Sequence, residues 1–179
     1  MTNDKDIIAA IRKDPEQGFR LLLRQYREPL YWHIRRLVVS HDDAEDATQE
    51  AFIRMFRNFD QYGEGNSFKA WLYRIATNEA LRLLGRRQGC ETLPLDEVTE
   101  GMMETACDAY FSDGDALVAR LQRAILHLPA KQQLAFNLRY YDELSYAEIA
   151  AVSGSSEASA KTNYHLAKEK IIQYMNSNE

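Results

Sequence analysis

The stretch LSYAEIAAVSGSSEASAKTNYHLAKEKI, Leu144 to Ile171, reads as two short helices folded on each other about a glycine. Ser145 and Glu148 form the Ser-x-x-Glu pattern in which each side chain bonds the other residue's backbone N–H, so a helix starts at Tyr146. Gly154 permits the sharp turn, and Ser156 caps a second helix that carries Glu157 in its first turn. In that second helix Ala160, Tyr164, Ala167 and Ile171 share the inward side, while Ala158, Lys161, Thr162, His165, Leu166 and Glu169 point outward or flank it. Small residues at Ala147, Ala150 and Ala151 let the helices approach closely, and the outward set is small at its N-terminal end, as entry into a DNA major groove requires. This is the pattern of a helix-turn-helix. Such a corner can be merely structural, but the two caps, the glycine and the polar outer face point to DNA.

Upstream, LVARLQRAILHLPAKQQLAFNLRYY supplies two more amphipathic helices that meet at Leu128-Pro129, proline being suited to a first helical turn. The net charge of −5 over 179 residues looks wrong for a nucleic-acid binder until it is divided along the chain. Residues 1–90 hold 15 Lys+Arg against 13 Asp+Glu and residues 116–179 hold 7 against 6, whereas residues 91–115 hold 8 acidic residues and no basic one. The acidity therefore sits in ETLPLDEVTEGMMETACDAYFSDGD, which lacks a helical period and reads as a flexible linker. An anionic tether can fold on a partner or lie in a basic channel, or simply keep two domains apart. The expected organisation is all-α: a helical domain over 1–90, an acidic linker over 91–115 and a helix-turn-helix domain over 116–179.

No apolar run approaches the roughly 18 residues of a membrane span, and the opening MTNDKDIIAAIRKD is charged and helical in period, so the expectation is a cytoplasmic protein without membrane insertion. Cys90 and Cys107 form no ligand or disulfide pattern and read as bystanders, so no metal or cofactor is implied.

The N-terminal part is helical throughout. Phe19, Leu22, Leu23, Tyr26, Leu30, Ile34 and Leu37 form a core stripe, with Pro29 as a kink or a helix restart and His33 as a packing or surface residue. In HDDAEDATQEAFIRMFRNFDQY, Asp42 and Asp43 can cap a helix whose stripe of Ala44, Ala47, Ala51, Met55 and Phe59 is for burial. The opposite face carries Asp46, Gln49, Glu50, Ile53, Arg54 and Arg57, an isoleucine seated among charges. That face suits docking on another helix; the competing reading is a solvated face with one stray apolar residue. A loop DQYGEGNS follows, and Ser67 or Asn66 can cap the next helix. There Phe68, Trp71, Leu72, Ile75, Ala76 and Leu83 are expected inward, and Tyr73, Arg74, Thr77, Asn78 and Leu81 outward. The window from Ser67 to Cys90 is the most basic in the chain, with Lys69, Arg74, Arg82, Arg86 and Arg87 against Glu79 alone. Cations for phosphates beside Tyr62, Tyr73 and Asn78 are what single-stranded nucleic acid requires.

Three motifs in series resemble the extracytoplasmic-function group of the sigma-70 transcription initiation factors, which keep only the second and fourth conserved regions. DAEDATQEAFIRMFRNF resembles the segment that docks on the clamp-helix coiled coil of RNA polymerase's largest subunit, FKAWLYRIATNEALRLLGRR the helix that melts and captures the minus-ten element, and LPAKQQLAFNLRYYDELSYAEIAAVSGSSEASAKTNYHLAKEKI the region that reads the minus-thirty-five element. The resemblance implies core-polymerase docking through Asp46, Gln49, Glu50, Ile53 and Arg54. It implies minus-ten binding through the loop from Asp60 to Ser67, including Tyr62 and Asn66, with Lys69, Arg74, Asn78 and Arg82, and minus-thirty-five binding through Ser159, Lys161, Thr162, His165 and Leu166. Core RNA polymerase, promoter DNA and an inhibitory anti-sigma factor are the implied partners, with no catalytic residue. Where the family often shows K-S-R-L-x-R-A-R, this chain has Asn163 and Leu166 in place of two arginines, so a different hexamer, richer in A·T, is expected.

Two rivals explain less. A repressor or response regulator with the same helix-turn-helix leaves the second basic window and the capped acidic helix unexplained. His41-Asp42-Asp43 resembles the signature of helical metal-dependent phosphohydrolases of the HD type, but no second spaced histidine and later aspartate accompany it, and capping accounts for its position.

Overall fold

The computed structural model describes residues 2–38, 40–63, 65–87, 89 and 116–177. The segment 91–115 expected to be a linker, together with Cys90 and Cys107, lies outside them. Every regular element among the described residues is helical. Helix α1 (Asp4–Lys13) is capped by Asn3, whose side chain accepts from the Lys5 N–H, and it buries Ile7 and Ile11 against α2 (Pro15–Val38). Gly18 lets the two helices touch: a Cβ there would sit 2.3 Å from the Ile11 backbone nitrogen. Helix α2 runs through Pro29 without restarting and buries Phe19, Leu22, Tyr26, Leu30, Ile34 and Leu37 of the expected stripe, whereas Leu23, expected in the core, is exposed.

Helix α3 (His41–Asn58) starts one residue ahead of the expected cap. Ser40 is the N-cap, its Oγ accepting from the Asp43 N–H at 3.4 Å, so Asp42 and Asp43 lie in the first turn facing the positive end of the helix dipole. A short 3-10 turn (Phe59–Gln61) leads into the loop before α4 (Phe68–Arg87), where Ser67 Oγ accepts from the Ala70 N–H at 3.2 Å.

The C-terminal helices are α5 (Ala116–Leu126), α6 (Ala130–Tyr140), α7 (Tyr146–Ser153) and α8 (Glu157–Asn176). The capping box is complete: Ser145 Oγ accepts from the Glu148 N–H at 3.2 Å and Glu148 Oε2 from the Ser145 N–H at 2.8 Å. Gly154 closes α7 in the left-handed region at φ 65°, a conformation that suits glycine because it has no Cβ. Ser156 then caps α8 by accepting from the Ser159 N–H at 3.1 Å.

The two helix groups share a core. Leu134, Leu138, Leu144, Ile149 and Val152 from the C-terminal half pack into one apolar cluster with Leu22, Leu30, Ile34, Leu72 and Ala76 from the N-terminal half. A second cluster of Ala124, Ile125, Leu128, Phe136, Ala167 and Ile171 ties α5 and α6 to α8. This sharing corrects the expected facing of α4. Tyr73, Thr77 and Leu81, expected outward, are buried, while Trp71, Ile75 and Leu83 are only half-buried. Helix α4 packs on α2 and α3 on one side and on α7 on the other, so one apolar stripe was too narrow a description of it.

Candidate protein and nucleic-acid interfaces

Between α2 and α3 runs a groove of about 910 Å³ whose floor and walls are Phe19, Leu23, Phe52, Ile53 and Phe56, with Asp46, Gln49 and Glu45 at its edge. Phe56 is 55% and Leu23 40% exposed, an uncommon amount of water-facing apolar surface in one place. Of the expected docking residues, Asp46, Gln49 and Ile53 line this groove; Glu50 is exposed on the same helix. Arg54 instead turns inward and pairs with the buried carboxylate of Glu79 on α4, which Arg82 also reaches at 3.2 Å. Burial pushes the Glu79 carboxyl up, and the Arg54 guanidinium pulls against that shift. Arg54 therefore holds α3 to α4, while Arg82 braces the same carboxylate from within α4. Leu23, expected in the core stripe, faces this groove instead, and Phe56 was not singled out by pattern although it stands three residues after Ile53 on the same helix.

On α4, Arg74 and Asn78 are exposed and lie one turn apart, so both face solvent together. Tyr62 does not project freely. Its ring packs 5.3 Å from Phe68 and 5.5 Å from Trp71, and its hydroxyl donates to the Asn66 carbonyl at 2.7 Å, pinning the loop; Asn66 itself is exposed. Lys69 is half-buried and donates to the backbone carbonyl of Asp142 in the turn between α6 and α7.

That turn inserts Asp142 into the N-terminal helices. Its carboxylate accepts from Arg36 Nη2 at 2.8 Å and from the Tyr73 hydroxyl at 3.3 Å, and it lies 3.1 Å from His33 Nδ1. His33 Nε2 in turn lies 2.8 Å from Thr77 Oγ1. Burial alone would raise the Asp142 carboxyl, but the hydrogen bond and charge of His33 and the charge of Arg36 outweigh it and hold it below its ordinary value. The same desolvation drives the Tyr73 phenol far above its usual range. Ser67 and Glu148 make a second link, Oγ–H to Oε1 at 2.6 Å.

In α8 the expected division holds. Ser159, Lys161, Thr162, His165 and Leu166 are exposed, while Ala160 and Ala167 are buried and Tyr164 stacks 6.0 Å from Phe136. The outward row thus stands on a helix fixed by its cap and by an aromatic contact beneath it.

The chain matches Sigma-70 region 2 over residues 22–90 and Sigma-70 region 4 over residues 119–171. It is 31% identical over 177 residues to the ECF RNA polymerase sigma factor SigW of Bacillus subtilis, covering 93% of this chain and 94% of that one. It is 30% identical over 176 residues to the ECF RNA polymerase sigma-E factor of Escherichia coli, covering 94% and 92%. Two solved structures share its fold: CnrH in complex with the cytosolic domain of CnrY (TM-score 0.72, 18% identity, 98% and 99% covered) and RpoE in complex with the anti-sigma factor NepR from Bartonella quintana (0.68, 22%, 91% and 99%). The chain belongs to the sigma-70 family, in its extracytoplasmic-function group. It is an RNA polymerase sigma factor and serves promoter-directed transcription initiation.

Proposed function

We propose that three surfaces divide this work. The α2/α3 groove docks on a helical element of core RNA polymerase, with Phe56, Leu23 and Ile53 as apolar anchors and Asp46, Gln49 and Glu50 as its polar rim. The loop from Asp60 to Ser67, with Asn66, Arg74 and Asn78, captures the melted minus-ten strand, joined by Lys69 once it is released from Asp142; Tyr62 shapes that loop and Arg82 braces α4 through Glu79. Ser159, Lys161, Thr162, His165 and Leu166 read the minus-thirty-five element from the major groove. What supports this most is the outward row on α8, five exposed side chains on a doubly anchored helix whose inner side is fully engaged.

The factor makes and breaks no bond; its effect is to place polymerase and to favour the open strand. With nearly balanced charge outside residues 91–115, it binds duplex poorly alone, because affinity follows phosphate neutralisation, and polymerase supplies the missing contacts. We assign it to the cytoplasm, beside polymerase; no helix among the described residues is long and apolar enough to cross a membrane. The complex of RpoE with the anti-sigma factor NepR supports an anti-sigma protein as a further partner of this chain. The test is a chain carrying Arg74→Ala with Asn78→Ala. It should bind core polymerase like the parent yet open promoters about tenfold or more weakly, each lost base or stacking contact being worth ~1–3 kcal/mol. Unchanged permanganate reactivity of promoter thymines would remove α4 from this role.

A further inference from the structure

The donors around Asp142 all come from α2 and α4, and the acceptors all come from the C-terminal half. Arg36 and His33 of α2 and Tyr73 of α4 surround the carboxylate, whose side chain is only 5% exposed, and Lys69 binds the carbonyl of the same residue. One helix further on, Ser67 donates to the Glu148 carboxylate. Ser67, Lys69 and Tyr73 belong to the N-terminal end of the helix assigned above to strand capture. A guanidinium, an imidazole and a phenol converge on the two carboxylate oxygens, with an ammonium on the neighbouring carbonyl, and such a set would receive a phosphodiester on the same terms as a carboxylate. A cleft of about 580 Å³ opens this pocket to solvent; Arg24 and Trp32 extend its wall with a cation and an aromatic face, beside Glu28 of α2 and beside Glu143, which belongs to the same turn as Asp142.

The packed chain cannot serve both promoter elements. Elements named minus-ten and minus-thirty-five lie some 25 base pairs apart, about 85 Å along B-form DNA at ~3.4 Å each. A compact chain of this length is only about 40 Å across. The C-terminal helices must therefore leave the N-terminal ones to reach the upstream element, and their departure withdraws Asp142 and Glu148. We propose that the pocket of His33, Arg36, Lys69 and Tyr73 is a phosphate-binding site for the melted promoter strand, and that Asp142 fills it in the free chain, holding the strand-capture surface shut. This rests on the assignment of α4 to the minus-ten strand.

The test uses the full chain without polymerase, a labelled minus-ten single strand, and a fluorophore pair on α3 and α8 that reports separation of the two halves. Asp142→Asn removes the charge that competes with phosphate, and Arg36→Gln removes a donor that serves both occupants. Both variants should open the chain. Only Asp142→Asn should bind the strand more tightly, by at least about tenfold, as expected when a hydrogen bond to a charged group stops holding the closed state. Its salt dependence should be steeper than that of Arg36→Gln by about one counterion. If Asp142→Asn fails to fold, Glu148→Gln replaces it with the same expected gain, since glutamine still completes the capping box with Ser145. Equal gains in both variants would make Arg36 part of the latch only and refute the phosphate site. An opened chain with no gain refutes it as well, while leaving Arg74 and Asn78 in place if the wild type still binds the strand with polymerase present. Binding by no chain under either condition would overturn this proposal and the α4 assignment beneath it together.

Discussion

Replacing Phe56 by alanine separates docking from folding. A phenylalanine presents about 200 Å², and 55% of this residue is exposed, so about 110 Å² of largely apolar surface is free to be covered by a partner. At ~25 cal/mol per Å² that burial contributes roughly 3 kcal/mol, a weakening of about a hundredfold in affinity for core polymerase when it is removed. Within the chain the ring loses chiefly its edge-to-face contact with Phe19, 4.8 Å between centroids, worth about 1 kcal/mol. The folded state should therefore survive with a small drop in melting temperature. Competition of labelled wild-type protein for core polymerase measures the affinity, and circular dichroism follows the helices. An unchanged dissociation constant in a folded variant would show that the α2/α3 groove is not the docking surface, and collapse of the helices would show that Phe56 is core.

Gly18→Ala should destabilise the chain by up to about 3 kcal/mol in urea unfolding, since the added methyl meets the Ile11 backbone at 2.3 Å and backbone cannot yield as a side chain does. Leu166→Arg should change the minus-thirty-five sequence selected from a randomised library; a uniform gain on all sequences with a steeper salt dependence would mean that position 166 meets phosphate instead of bases. Asp142 and Glu148 are both held below their ordinary values of 3.8 and 4.5, so the stability they contribute is complete above those values and is lost as pH falls through the lower folded values. The groups facing Asp142 are His33 and Arg36 from α2 and Lys69 and Tyr73 from α4, with Tyr141 beside it in its own turn. The fluorescence pair on α3 and α8 should accordingly report opening below about pH 4; an Asp142→Asn chain with the same acid profile would remove that carboxylate from the cause.

Features carried by neighbours in sequence were legible, and features made by distant segments were not. The helix-turn-helix could be read because its caps, turn and facing residues fall within Leu144–Ile171, each reporting on atoms three or four residues away. The start of α3 was displaced because Ser40, Asp42 and Asp43 all offer a capping oxygen, and only the backbone path selects Ser40. Helix α4 was misfaced because it is packed from two sides, which spreads buried residues around the helix and erases a single stripe. The link between His33 and Asp142 spans 109 positions, and the one between Ser67 and Glu148 spans 81. No local period announces such pairs. Among the candidate site residues, Lys161, Thr162, Arg74 and Asn78 are exposed, as their helical pattern leads one to expect, whereas Arg54, Arg82 and Lys69 have buried or half-buried partners that pattern could not supply.

Transcription in vitro with core RNA polymerase on a genomic DNA library, with and without this protein, measures whether the chain directs initiation to particular promoters. Discrete start sites should appear only when the protein is present, preceded by a shared pair of minus-thirty-five and minus-ten sequences, and should weaken about tenfold or more when Asn78 and Arg74 are both alanine. Initiation at no site, or the same sites with core polymerase alone, would contradict that role.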